Sequence, residues 1–296
     1  MTADPMLDLL VIGATGQVAR ELARAEAPGV RVRTVGRETL DLSDPEAAGD
    51  FVRQARGDLV VNAAAYTAVD KAESEPELAM RVNGEAPGAM AAAARARGVP
   101  FLHISTDYVF DGSGDRPWRE GDPTGPLGVY GRTKLAGEAA VAAAGGDHAI
   151  LRTAWVFSAH GGNFVKTMLR VGRERDRLTV VDDQTGGPTG AADIAAALLV
   201  MARAFGRGQG VTGVFHFCGA PAVTWRGFAA EIFRRSGWPK TPEVAPIRTE
   251  EWPTPAARPR NSTLDCQRIL ECYDVAQPAW TDALDRVLSE LEGMSR

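Results

Sequence analysis

At 296 residues the chain can build one large core, or a main domain with a smaller one attached. Hydrophobic residues make up 45% and charged residues 24%, and the net charge of −5 excludes broad contact with a nucleic-acid backbone, which needs a dense Lys/Arg surface. Three scattered cysteines without a CxxC pair exclude a disulfide framework, and four isolated histidines offer no metal-ligand spacing, so no metal is expected.

The run Met-Thr-Ala-Asp-Pro-Met ahead of the first apolar segment carries no basic region, and no long apolar stretch follows it. Neither a secretory signal nor a membrane span is expected, and the expected location is cytoplasmic. Short apolar runs then recur as predicted strands at 9–12, 30–35, 58–62, 100–104 and 149–152. Ala-rich predicted helices lie between them at 17–25, 44–55, 75–97 and 130–144, the second opened by Ser43, Asp44 and Pro45 as polar cap and first-turn proline. Strands alternating with helices predict a parallel sheet covered on both faces. Beyond about residue 155 the rhythm loosens: a strand at 178–181, a helix at 191–205 and a strand at 214–217 precede a tail rich in proline and tryptophan. The expected fold is α/β, a doubly wound parallel-sheet Rossmann domain with a smaller C-terminal substrate-binding lobe. Residues 1–155 would form the dinucleotide-binding domain, with 187–218 returning to it; 156–186 and 219–296 would form the smaller lobe at the strand ends.

Chemistry first enters at the turn after the first strand, Gly13-Ala14-Thr15-Gly16-Gln17-Val18-Ala19. Gly13 permits the tight turn, and Gly16 lets backbone approach a pyrophosphate at a helix N-terminus. The second strand ends in Val35-Gly36-Arg37, where an acidic residue would suit NAD and an arginine suits a 2′-phosphate. Arg37 therefore favours NADPH, with NADH left open. Tyr130 and Lys134 stand four apart, on one face of a predicted helix. An ammonium beside a phenol favours the phenolate, so Lys134 is expected to tune Tyr130 as the proton donor to an alkoxide formed by hydride transfer. Thr106, directly after the fourth strand in Ser105-Thr106-Asp107, would share the same oxygen.

Longer strings carry a resemblance: 62–73 (NAAAYTAVDKAE), 105–110 (STDYVF), Val129-Tyr130-Gly131, 133–138 (TKLAGE), 152–157 (RTAWVF), 163–169, Asp183-Gln184 and 188–190. In this order they resemble the dTDP-4-dehydrorhamnose reductase family of extended short-chain dehydrogenases. The resemblance implies NADPH-dependent reduction of the C4 ketone of a dTDP-linked 4-keto sugar, dTDP-4-dehydro-L-rhamnose to dTDP-L-rhamnose. It assigns Thr106, Tyr130 and Lys134 as the catalytic set and Gly13, Gly16, Gln17 and Val18 as the pyrophosphate turn. Asp41 and Leu42 would lie near the adenine, with Ala64, Ala65 and Tyr66 along the cofactor. Thr67, Val69, Asp107, Tyr108 and Trp155 would contact the sugar nucleotide, and Arg258 would approach its diphosphate.

Two departures stand out. Ala19 takes the place of a third glycine, and Ala192 takes that of a glutamate through which some members bridge a dimer with magnesium; Glu21 matches another of those ligands. A homodimer is left open, without that metal. Within the superfamily a 4,6-dehydratase would need an acid where this chain has Tyr108, whereas a related 4-ketoreductase of different product stereochemistry is not separated by these residues. A homologue serving as a non-catalytic regulatory subunit of methionine adenosyltransferase is the other alternative, and such a module need not keep all three catalytic groups.

Overall fold

The computed structural model describes residues 6–294; the expectations for residues 1–5 lie outside the described residues. In chain order β1 (Leu7–Ile12), α1 (Gln17–Arg24), β2 (Val30–Val35), α2 (Pro45–Gln54) and β3 (Leu59–Asn62) lead to α3 (Val69–Ala72) and α4 (Pro76–Met80). Then come α5 (Ala86–Ala96), β4 (Phe101–Thr106), α6 (Val129–Ala144) and β5 (His148–Thr153). The second half holds β6 (Val156–Phe157), α7 (Phe164–Glu174), β7 (Arg177–Val181), β8 (Thr185–Gly186), β9 (Thr189–Gly190), α8 (Ala191–Gly206) and β10 (Gly213–His216). It closes with β11 (Val223–Thr224), α9 (Trp225–Arg235), β12 (Glu243–Ile247), β13 (Asn261–Ser262), α10 (Gln267–Tyr273) and α11 (Trp280–Met294).

Six parallel strands form the main sheet in the order β10-β5-β4-β3-β1-β2. Alternate residues of β1 serve opposite faces, as a pleated strand requires. Leu9 and Val11 pack with α1 and α8, whereas Leu10 and Ile12 pack with α2 and α5. Both faces are covered, so the central strands read as unbroken apolar runs. β2, at the edge, instead leaves Arg31 and Arg33 exposed. At α2 the expected start is realised: Asp44 accepts from the Ala47 amide at 3.0 Å with Pro45 in the first turn, an arrangement worth about 1 kcal/mol. The strand order reverses between β1 and β3, so a crevice opens there at the carboxyl ends of the strands.

The helix expected over 75–97 is interrupted. A π-helical segment, Arg81–Glu85, separates α4 from α5. Pro87 supplies the reason: it has no N–H for the Asn83 carbonyl four residues earlier, so regular α bonding fails there.

A second core gathers Phe157, Val165, Met168, Leu178, Val180, Phe228, Ile232, Trp280 and Leu284, with β7 and β12 as a parallel pair. The tail is more regular than the sequence suggested, because α7, α9, α10 and α11 are helices that the reading left unassigned. The expected boundary at 219 also needs correction. Leu264, Cys266, Ile269 and Tyr273 pack in the main core with α8 and Phe215 of β10, not in the smaller lobe.

Candidate active site

A cleft of about 820 Å³ opens over the crevice between β1 and β3. Its floor is the Gly13–Val18 turn. Gly13 has φ +111°, and a Cβ there would lie 3.3 Å from the Ala63 carbonyl carbon and the Ala64 amide nitrogen. Only glycine fits that backbone comfortably. Gly16 caps α1 without a side-chain hydrogen bond, and the first turn of α1 contains no acidic residue. The free amides at this positive helix end therefore face the cleft with the chemistry an anion needs. Arg37, Asp41, Leu42, Ala64, Ala65 and Tyr66 line the same cleft. Arg37 is largely exposed and reaches Asp41 at 3.4 Å. The cradle, the bare helix end and the arginine fit a phosphorylated dinucleotide.

At the other end of the cleft stand Thr106, at the end of β4, and Tyr130 and Lys134 in the first turns of α6. α6 is started by an unexpected partner: Glu73 Oε1 accepts from the Val129 amide at 2.7 Å. Gly131 and Gly137 let α6 settle on neighbouring backbone, since a Cβ would come within 2.2 Å of the Tyr108 carbonyl oxygen and 2.1 Å of the Asn83 carbonyl oxygen respectively. Asn83, in the π segment, accepts from the Tyr66 amide at 2.8 Å and donates to Tyr66 O and Thr133 Oγ1, both at 3.1 Å. The irregular helix thus fixes the cofactor-lining segment against α6.

Thr106 and Tyr130 line the same end of the cleft, and the Thr106 hydroxyl donates to Asp107 Oδ1 at 2.9 Å. Burial, and then the Asp107 carboxylate, push Tyr130 up to about 12, with Thr106 opposing. The expected lowering by Lys134 is not what the structure displays. Lys134 is 2% exposed, and its Nζ donates to the Ile104 carbonyl at 2.7 Å and lies 3.3 Å from His103 Nε2. Burial brings Lys134 down to about 8, against the pull of Glu138. Desolvation of a cation outweighs the expected tuning of its neighbour.

Asp107 is buried and accepts from Thr106 at 2.9 Å, while its Oδ2 finds no partner among the described residues. Burial pushes its carboxyl up to about 6. Tyr108 packs edge-on against Tyr130, with centroids 5.5 Å apart. Thr67, Val69 and Trp155 also line the cleft. Trp155 has φ +48°, rare for a bulky residue, and stacks on Trp225 with centroids 3.5 Å apart. Arg258 stands apart from the lining residues; it pairs with Asp70 Oδ2 at 2.9 Å and donates to Ala256 O at 2.8 Å.

Sequence reasoning missed Asn62, Glu73, Asn83, His103 and Trp225. The available signal was a polar residue within or ending an apolar run: Asn62 in DLVVN and His103 in PFLHI. A polar side chain in a strand covered on both faces must find a buried partner.

The RmlD substrate binding domain family model matches residues 7–292. A dTDP-4-dehydrorhamnose reductase of Sinorhizobium fredii is 43% identical over 286 residues, 95% of this chain and 96% of that protein. The enzyme of that name from Escherichia coli strain K12 is 42% identical over 293 residues, 96% and 98% of the two chains. Among solved structures, dTDP-4-dehydrorhamnose reductase from Bacillus anthracis str. Ames in complex with NADP superposes with a TM-score of 0.89. It is 31% identical, and the match covers 96% of this chain and 99% of that one.

Proposed function

From the premise that the chain belongs to the RmlD substrate binding domain family, we propose that it is an NADPH-dependent oxidoreductase acting on a dTDP-linked 4-keto-6-deoxyhexose. The reaction is reduction of the C4 ketone of dTDP-4-dehydro-L-rhamnose to give dTDP-L-rhamnose. One observation carries the chemistry: Thr106, Tyr130 and Lys134 line the same cleft as the glycine turn.

When bound, NADPH supplies the hydride. Gly13, Gly16, Gln17 and Val18 would hold its pyrophosphate through backbone amides, Arg37 would hold its 2′-phosphate, and Asp41, Leu42, Ala64, Ala65 and Tyr66 would line its path. Tyr130 gives its proton to the developing alkoxide, a role suited to a phenol that stays neutral at ordinary pH. Thr106 steadies the same oxygen, and Lys134 fixes the inner end of the site. Thr67, Val69, Asp107, Tyr108 and Trp155 form the sugar-nucleotide wall. Arg258 acts from behind it by holding Asp70. Retention of all three catalytic groups supports an enzyme over a regulatory subunit.

No helix among the described residues is long and apolar enough to cross a membrane. The reading includes a cytoplasmic location, no nucleic-acid partner, and a homodimer, if one forms, that does not depend on a metal. The chain is tested by incubation with dTDP-4-dehydro-L-rhamnose and NADPH, following cofactor absorbance and the product's C4 configuration by NMR. Stoichiometric oxidation with dTDP-L-rhamnose as product is expected. Absence of oxidation refutes the enzyme, and the opposite C4 epimer refutes the rhamnose assignment.

A further inference from the structure

The three cysteines are scattered along the chain, but the fold brings two of them into contact. Cys218 lies just beyond β10, where the chain leaves the main core, and Cys266 stands at the start of α10, where it returns. Cys218 is 1% exposed and Cys266 5%, and their sulfurs are 3.9 Å apart. Neither is among the residues lining the cleft.

The hydrogen bonding around these sulfurs suits acceptors. The Gln277 side-chain amide donates to Cys218 Sγ at 3.4 Å, and the Cys218 backbone amide donates to Cys266 Sγ at 3.3 Å. Two thiol protons, by contrast, share one carbonyl, that of Leu264, at 3.7 Å from each sulfur. The alternative for either proton is the other sulfur, a weak acceptor. This setting favours a pair that holds a single proton between them. In the same sense, the Cys266 thiol holds Cys218 below the ordinary thiol value, against the pull of burial. A disulfide has no proton to place and keeps both incoming N–H groups. It needs the sulfurs at about 2.05 Å, a shift of about 1 Å for each.

The two cysteines are separated by 48 positions, and the stretch between them holds β11, α9, β12 and β13. That stretch builds much of the smaller lobe and supplies Trp225 to the cleft. A bond between 218 and 266 would join its two ends on the main core.

We propose that Cys218 and Cys266 are a dithiol couple that a small hydroperoxide oxidises to a disulfide, fastening the smaller lobe's segment at its base. As the thiolate, Cys218 attacks one oxygen of hydrogen peroxide, and the O–O bond breaks. The departing hydroxide takes up the proton the thiol had released and leaves as water. Cys266 Sγ then attacks the Cys218 sulfenic acid, forming the S–S bond, and the second hydroxide carries off the Cys266 proton as water. In sum the two thiols lose two electrons and two protons, and peroxide is reduced to two waters. Burial of both sulfurs excludes bulky disulfides as the oxidant.

The test treats the native protein with a hydrogen peroxide series, quenches it with catalase, denatures it, labels free thiols with N-ethylmaleimide and weighs it. Loss of two labels is expected, with Cys272 still labelled and a peptide joining 218 to 266 that dithiothreitol separates. The melting temperature of the oxidised protein is expected to rise by about 3 °C or more, because the bond closes a long loop of the unfolded chain, and to return on reduction. In Cys266→Ser, Cys218 is expected to stop at the sulfenic acid, trapped by dimedone, with no such rise. The proposal is overturned if 218 and 266 stay fully labelled at peroxide levels that oxidise Cys272 or the methionines. Conversion of the pair to sulfinic or sulfonic acids in place of a bond overturns it as well, as does a cross-linked protein that melts no higher. Neither cofactor nor sugar nucleotide is present in this assay, so its outcome is independent of the reductase reading.

Discussion

Tyr130 sits where burial and the Asp107 carboxylate both favour the neutral phenol, and that is the form a reductase must start from. Tyr130→Phe removes the proposed proton donor and little else, so turnover is expected to fall at least ~100-fold while NADPH binding by fluorescence persists. Near-normal turnover would take Tyr130 out of the mechanism. Arg37→Ala is expected to raise KM for NADPH more than for NADH, and equal effects would refute the phosphate contact. Asp107 makes a pH-dependent contribution of known sign. Its carboxyl is raised to about 6, so between its ordinary value near ~4 and 6 the folded protein holds a proton that the unfolded chain has released. The folded state therefore loses roughly 3 kcal/mol as pH rises through that window. Asp107→Asn does not titrate, and its melting temperature relative to wild type is expected to climb between about pH 4 and pH 7.5; a flat difference would mean Asp107 is not desolvated. That Thr106, Tyr130 and Lys134 would line one cleft was legible, because helical spacing and a strand end fix their places. The burial of Lys134 was not, because it depends on how α6 packs on β4 beside the Ile104 carbonyl.

α6 carries Tyr130 and Lys134, and its placement depends on two glycines that would ordinarily weaken a helix. On propensity alone Gly137→Ala should add about 1 kcal/mol of stability. A Cβ there would instead meet the Asn83 carbonyl oxygen, freed for this contact by Pro87. Gly137→Ala is thus expected to destabilise by about 1–3 kcal/mol in urea unfolding, the cost of overpacking. A stabilised variant would show that α6 moves freely over the π segment. The same region explains what sequence could and could not disclose about elements. The central strands of the main sheet were readable because burial on both faces leaves apolar runs, and edge strand β2 because its residues are largely β-branched. The break at Arg81–Glu85 was hidden by Ala-rich composition on both sides. α7, α9, α10 and α11 escaped notice because one apolar face interleaved with polar and charged residues gives a weaker signal than a buried strand.

Across the molecule, the cleft divides labour between its two walls. The strand ends of the main sheet and α6 contribute the glycine turn and the Thr106–Tyr130 pair, while the smaller lobe contributes Trp225, packed on Trp155 beside Phe164. A further tie crosses the gap: Asn163, capping α7, donates to Gln17 of α1 at 2.9 Å. Sequence order could not reveal that 264–273 rejoins the main core, since β10, its partner, lies some fifty residues earlier. This division has a kinetic consequence. Trp225 lines the cleft while stacked on Trp155, and an apolar ring in that place is expected to favour ground state and transition state alike. Uniform binding of this kind appears in KM and not in kcat. Trp225→Ala is therefore expected to raise KM for the sugar nucleotide about tenfold, within the 0.5–1.5 kcal/mol of an aromatic contact plus its lost area, with kcat changed by less than about threefold. A fall in kcat at unchanged KM would mean that the smaller lobe takes part in the chemical step, and the assignment of chemistry to the sheet wall alone would have to be abandoned.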